Sequence, residues 1–286
     1  MWIVYALLSA FFSATTEALT KKSLATTDEY LLTWLRHLFA IPFLIAIIPF
    51  INIPRLDSTF WLTILLLLPL EITAIILSIK ALKASPLSLT IPFLAFTPLF
   101  LILTSFLMLG ETPDISGTIG ILLIAVGAYT LNIHSTKEGL LEPIKSIAKE
   151  RGSILMLIVA FIYSITSNLG KIAILHSSPI FFGIVYYIIL AFVLTPIAVM
   201  KSNRHLHQIG PGLFNYCLIG LFLALMIIFH VIAITMTNVA YMISVKRTSL
   251  LFSVGFGYLL FNERNITERL LGSFLMIIGI MLISLF

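Results

Sequence analysis

Charge and cysteine are both scarce in this sequence. Only 10% of its 286 residues are Asp, Glu, Lys or Arg, where a soluble domain carries about 25%, so water cannot be the main solvent of the folded chain. Cys217 is the single cysteine; it excludes an intramolecular disulfide framework and leaves the redox compartment unread. No HExxH, GxSxG, P-loop or dinucleotide fingerprint occurs, so an enzyme is not expected and no cofactor is implied. His205 and His207 lie two apart in a polar loop without Cys or carboxylate at ligand spacing, which gives no metal site. The formal charge of +5 does not indicate nucleic acid, because the basic residues are scattered singly or in pairs rather than massed in a groove-sized patch.

What the chain has in abundance is apolar residues, 60% of the total. A bilayer-spanning helix needs about 20 of them in succession. Runs bounded by charge, Pro and Asn place spans near Trp2–Thr20, Tyr30–Phe50, Phe60–Leu82, Pro86–Leu109 and Ile115–Ile133. Five more follow near Gly152–Leu175, Ile180–Met200, Pro211–Thr237, Val239–Phe261 and Arg269–Phe286. The first run lacks a basic leader region and a cleavage site, and continues through Glu17 into Lys21 and Lys22, so it reads as a retained helix. A polar linker, 134–151, separates a first half, 1–133, from a second, 152–286.

The halves repeat one another. LGETPDISGTIG around Glu111 aligns with FNERNITERLLG around Glu263 at an offset of 152 residues, which superposes Gly120 on Gly272 and Gly127 on Gly279. SATTEA from Ser13 aligns with SITSNL from Ser164 at an offset of 151, setting Glu17 on Asn168. Two separate matches at nearly one offset indicate an internal repeat. Five spans is an odd number, so the second repeat enters the bilayer upside down relative to the first, and a substrate would bind near the midplane between them. The expected fold is an all-α membrane protein of ten transmembrane helices in two inverted five-helix repeats.

The duplicated pattern, with Gly110–Glu111 closing the fourth span, Glu263 closing the ninth, and Gly-rich fifth and tenth spans, resembles the EamA branch of the drug/metabolite transporter superfamily. Asn262, standing where the first half has Gly110, departs from it. The resemblance implies a transporter with a small-molecule substrate. In the ninth span, SVKR at Ser244–Arg247 resembles the Lys-Arg pair of the triose-phosphate translocators, which implies that Lys246 and Arg247 bind a substrate phosphate.

Basic residues are distributed unevenly between the loops. Lys21, Lys22, Lys80, Lys83, the linker's Lys137, Lys145, Lys149 and Arg151, then Lys201, Arg204, Arg264 and Arg269 fall on one face; Arg55 and Lys171 fall opposite. Positive-inside counting puts the linker in the cytoplasm of a prokaryotic inner-membrane protein and both termini outside. The family resemblance implies termini inside, and the charges are given the greater weight here.

An ionisable group within a span is a functional candidate by default. Glu71 is the leading one, at the centre of the third span, suited to binding substrate or carrying a proton. Lys246 and Arg247 lie about 10 Å deep in the ninth span, but neighbours on a regular helix point about 100° apart, so ligand binding and structural pairing are equally open from spacing. His230 in the eighth span titrates near neutrality or is satisfied by a backbone carbonyl. Glu17 and Asn168 occupy equivalent places and are assigned to coupling or gating, although Lys21, four residues beyond Glu17, offers a plain helical ion pair. Arg36 and His37 are placed to snorkel near the start of the second span. Pro92 and Pro98 remove backbone donors from the fourth span and mark a kink, whereas the ninth span has no proline, so the repeats are expected to move unequally.

Three functions fit these features. The first is a secondary transporter moving a small polar metabolite, an organic anion or phosphate, with protons or a counter-substrate, by alternating access. The second is an exporter of amino acids or amphiphilic cations in which Glu71 is the counter-ion. The third is a non-transporting scaffold, which would have little reason to keep charges at mid-membrane. Oligomeric state is not legible.

Overall fold

The computed structural model describes residues 1–84, 91–133, 151–261 and 270–284. Among them the chain is helical without strands. The first half comprises α1 (Trp2–Ser23), α2 (Glu29–Ile45), α3 (Ser58–Ala84), α4 (Thr97–Leu109) and α5 (Ile115–Ile133). The second comprises α6 (Arg151–Leu175), α7 (Pro179–Ser202), α8 (Leu213–Thr235), α9 (Val239–Lys246), α10 (Ser249–Phe261) and α11 (Leu270–Ser284). Six of these, α1–α3 and α6–α8, are long and apolar enough to cross a bilayer, while the helices at Phe93–Leu109, Ile115–Thr130 and Leu271–Ser284 are apolar but shorter. The expected ninth span is two helices rather than one. Glu263, Asn262, Arg264, Arg269, Lys137, Lys145, Lys149, residues 134–150 of the linker and Pro86 lie outside the described residues.

Local chemistry sets the helix ends. Asp28 caps α2 by accepting from the backbone N–H of Tyr30 (3.0 Å) and Leu31 (3.2 Å), and Asp57 caps α3 through Phe60 N–H at 2.9 Å; such side chains satisfy donors that have no intrahelical partner. Gly110 ends α4 with φ 70°. Its N–H donates to Phe106 O (3.0 Å) while Glu111 N–H reaches Ser105 O (3.3 Å), and the left-handed αL closure at Gly110 favours glycine at this position. The GE pair thus has a backbone reason.

The halves interlock. α3 runs along α6 and α1 along α8, α2 meets α7 and α8, and α5 pairs with α11, so each of these helices packs on one from the other half. The α5–α11 crossing is backbone on backbone: a Cβ on Gly120 would lie 2.7 Å from Gly279 O, and one on Gly127 2.6 Å from Gly272 O. The residue numbers run in opposite directions, so the two helices are antiparallel. Because Gly120 matches Gly272 and Gly127 matches Gly279 in the repeat, the two contacts are exchanged by one pseudo-two-fold. Small residues permit this approach where lipid supplies no hydrophobic drive. Gly127→Val is expected to lower thermal stability by about 1–3 kcal/mol through overpacking. Gly255→Ala, at a position where a Cβ meets nothing within 4 Å, should be neutral or slightly stabilising. Equal melting temperatures for the two variants in detergent would show that the glycine crossing carries no packing constraint.

Candidate functional site

The helices surround a cavity of about 290 Å³ lined by residues of α1–α4 and α6–α10, near the lower end of the ~300–1,000 Å³ range for small-ligand sites. Glu17, Glu71, His230, Lys246 and Arg247 all line it. The candidates that sequence spacing could not orient are therefore brought onto one wall-to-wall surface. Glu17 carries open surface despite its place in a helix bundle, as a side chain facing a void does.

Lys246 and Arg247 share the cavity because the helix carrying them is not regular. Around the junction of α9 and α10 the backbone bonds tighten to i→i+3: Arg247 N–H to Ser244 O (3.0 Å), Thr248 N–H to Val245 O (3.0 Å), Leu250 N–H to Arg247 O (3.1 Å) and Leu251 N–H to Thr248 O (2.9 Å). A short tightened stretch inside a helix often marks a hinge. The same feature occurs in the first half, where a 3₁₀ turn at Ile91–Phe96, which includes Pro92, leads into α4. α4 begins at Thr97 and α10 at Ser249, and the ends Leu109 and Phe261 are likewise 152 apart. Thr97 and Ser249 both line the cavity. The ninth span, which has no proline, departs from a regular helix at the point equivalent to the fourth. Pro98 is buried in the first turn of α4.

Arg247 Nη2 donates to Thr97 Oγ1 at 2.8 Å, joining the two tightened segments. Lys246 Nζ lies 3.2 Å from His230 Nδ1 and 3.4 Å from Met226 Sδ. Thr166 stands beside Glu71 and Ser13 beside Glu17. None of the ion pairs among the described residues joins two of the cavity's charges. Lys246 and Arg36 are within electrostatic reach of both carboxylates, and Arg247 of Glu17, but they are not in contact pairs. An arrangement of both signs held apart in a void can coordinate a polar ligand and exchange protons with it.

Asn168 has a different environment from its repeat mate Glu17. Fully buried, it accepts from Ser105 Oγ (2.8 Å) and donates to Thr104 Oγ1 (3.1 Å) and Ser164 O (2.9 Å), tying α6 to α4 away from the cavity lining. Lys171, expected as a loop charge, is instead buried and paired with Glu111, and it also donates to Thr237 O at 2.7 Å. The second oxygen of Glu111 accepts Val239 N–H at 2.8 Å, the first residue of α9. Glu111 therefore fastens the base of the helix that carries Lys246.

Sequence reasoning did not select Arg36, Tyr163, Tyr186, Tyr187, Ser13 or Thr166, all on the cavity wall. Arg36 could have been found: α2 begins at Glu29, which sets Arg36 seven residues in, about 10 Å deep and far from the polar boundary. The tyrosines gave no signal, since aromatic residues on an apolar helix are ordinarily packing groups.

A family model described as the EamA-like transporter family matches residues 1–133 and 150–285. No curated protein matches the chain. Among solved structures 27 chains match; one, titled only "Crystal structure of protein", has a TM-score of 0.77 and 14% identity over 99% of this chain and 97% of its own, a likeness of fold.

Proposed function

The chain belongs to the EamA-like transporter family, and on that footing we propose that it is a secondary transporter that carries a small organic anion, a phosphate or carboxylate, across the cytoplasmic membrane of a prokaryote by alternating access. The observation that carries this reading is the cavity in which Lys246, Arg247, Arg36, Glu17 and Glu71 face one another without a contact ion pair. Charged side chains held within membrane spans are costly, and a scaffold would have no use for them. The basic excess suits an anion over the alternative cargo of amphiphilic cations or amino acids, since a charge entering low dielectric needs an opposite charge and hydrogen-bond donors.

Ten spans in two inverted repeats, 1–133 and 152–286, complete the proposal, supported by the antiparallel glycine crossing and by the two tightened segments 152 residues apart. Discontinuous helices at corresponding places in two repeats are where such transporters bind substrate and coupling ions. Glu71 is assigned the coupling proton, and Glu17, Asn168, Pro92 and Pro98 the transmission of movement. Burial of Lys171 leaves Arg55 as the basic loop residue on the face opposite the linker, which sharpens the charge asymmetry and supports termini outside the cytoplasm. A tag at the C-terminus is expected to be labelled in intact cells; labelling only after permeabilisation would reverse the orientation. The function itself is tested by counterflow of labelled solutes in proteoliposomes. Exchange of phosphorylated or carboxylated metabolites is expected, and cationic solutes exchanging in their place would establish the alternative.

A further inference from the structure

Among the described residues none is hydrogen-bonded to the guanidinium of Arg36. Its Nε is buried and unbonded, and neither ion pair among the described residues includes it. Arg247 shares the anomaly, for its Nη2 is used by Thr97 while its buried Nε has no partner. The hydroxyl of Tyr186 is a third such group. Three of the four unpartnered buried side-chain atoms among the described residues thus belong to residues lining one cavity. A buried donor without an acceptor bears its full desolvation cost, and several around one void indicate a missing acceptor rather than independent packing faults.

The two arginines come from different halves and at different depths. Arg36 is seven residues beyond the start of α2 and Arg247 eight beyond the start of α9. These helices start from opposite faces in the proposed topology, so at 1.5 Å per residue in a ~30 Å core their Cα atoms differ in level by roughly 8 Å. Two buried Nε donors on helices of different halves call for an acceptor at each. Glu17 and Tyr163 lie within electrostatic reach of both arginines, and Glu71 of Arg36. The carboxylates repel negative charge from the middle of the site and accept hydrogen bonds from hydroxyl groups there.

Resting on the anion-transport reading, we infer that Arg36 is a second substrate anchor, so that the ligand is a small anion with two oxyanionic ends, one bound by Arg247 and Lys246 and the other by Arg36. The substrate itself then bridges the two halves. A cavity of about 290 Å³ accommodates a molecule of this kind with few further atoms.

The test is ligand binding by the purified full chain in detergent, with 2-phosphoglycolate as the two-ended probe and inorganic phosphate as the one-ended probe. Wild type is expected to bind 2-phosphoglycolate at least about tenfold more tightly than phosphate, the ratio that one charged hydrogen-bonding partner supplies. Arg36→Gln should abolish that preference while changing phosphate affinity less than about threefold, and Arg36→Lys should keep an intermediate preference because the planar fork is lost but the charge remains. If the Gln variant does not fold, the Lys variant decides by its intermediate or unchanged ratio. A preference that survives in Arg36→Gln, one that is unchanged in Arg36→Lys, or an equal weakening of both probes, overturns the anchor. Failure of the underlying reading has its own signature, in which neither probe binds wild type or Arg247→Gln leaves phosphate binding intact, and it removes the anchor with it.

Discussion

Arg247→Gln is expected to weaken organic-anion binding by about 2–5 kcal/mol, thirtyfold or more, the cost of removing one partner from a desolvated charge pair. Lys246→Gln should follow the same direction, and Arg247→Lys should restore only part of the loss, since an ammonium supplies charge without the bidentate fork. Both residues line the cavity, so effects at both are compatible with their adjacency in sequence. Affinity is measured by competition in counterflow, and thermal stability is measured alongside. Variants that lose stability while the surviving protein keeps wild-type affinity would make the pair structural glue, and cationic solutes would then be expected to win the competition.

The second large effect concerns Glu71. Glu71→Gln preserves the shape and the contact with Thr166 but cannot exchange a proton, so transport driven by a pH gradient should vanish while the protein stays folded and inserted. Substrate counterflow, which needs no net proton movement, should persist. Gradient-driven uptake that is unchanged in the Gln variant would reject the proton role and leave Glu71 as a substrate-pairing group. Loss of counterflow as well would likewise assign it to binding instead of coupling.

The helical class, the repeat and its offset could be read from the sequence because they depend on local, countable features. Apolar runs have a required length, and two motif pairs fix one offset. Glu71 was legible for a related reason, since a carboxyl thirteen residues from either end of a helix has no route to water. Lys171 was misread because its position near the end of α6 is also where a loop charge would lie; only the tertiary approach of Glu111 and Thr237 buries it. Asn168 and Glu17 align in sequence yet differ in surroundings, because Thr104 and Ser105 of α4 saturate the amide. The tightened turn at Arg247 had no proline to announce it. The contact of Arg247 with Thr97, in the other half of the chain, is likewise not recorded by periodicity. Arg36 was lost although its helix start was placed within one residue, at Tyr30 against Glu29: it was read as near the start when it lies about two turns in.

The glycine crossing of α5 and α11 also fixes an order of assembly. α5 is synthesised before α6–α10, yet its glycine face fits a helix that emerges after all of them. At about 5–20 residues per second, that face waits on the order of ten seconds against lipid before its partner arrives. The seam between α5 and α11 therefore cannot shut before α11 is made, and a nascent chain stalled before Leu270 keeps that seam open.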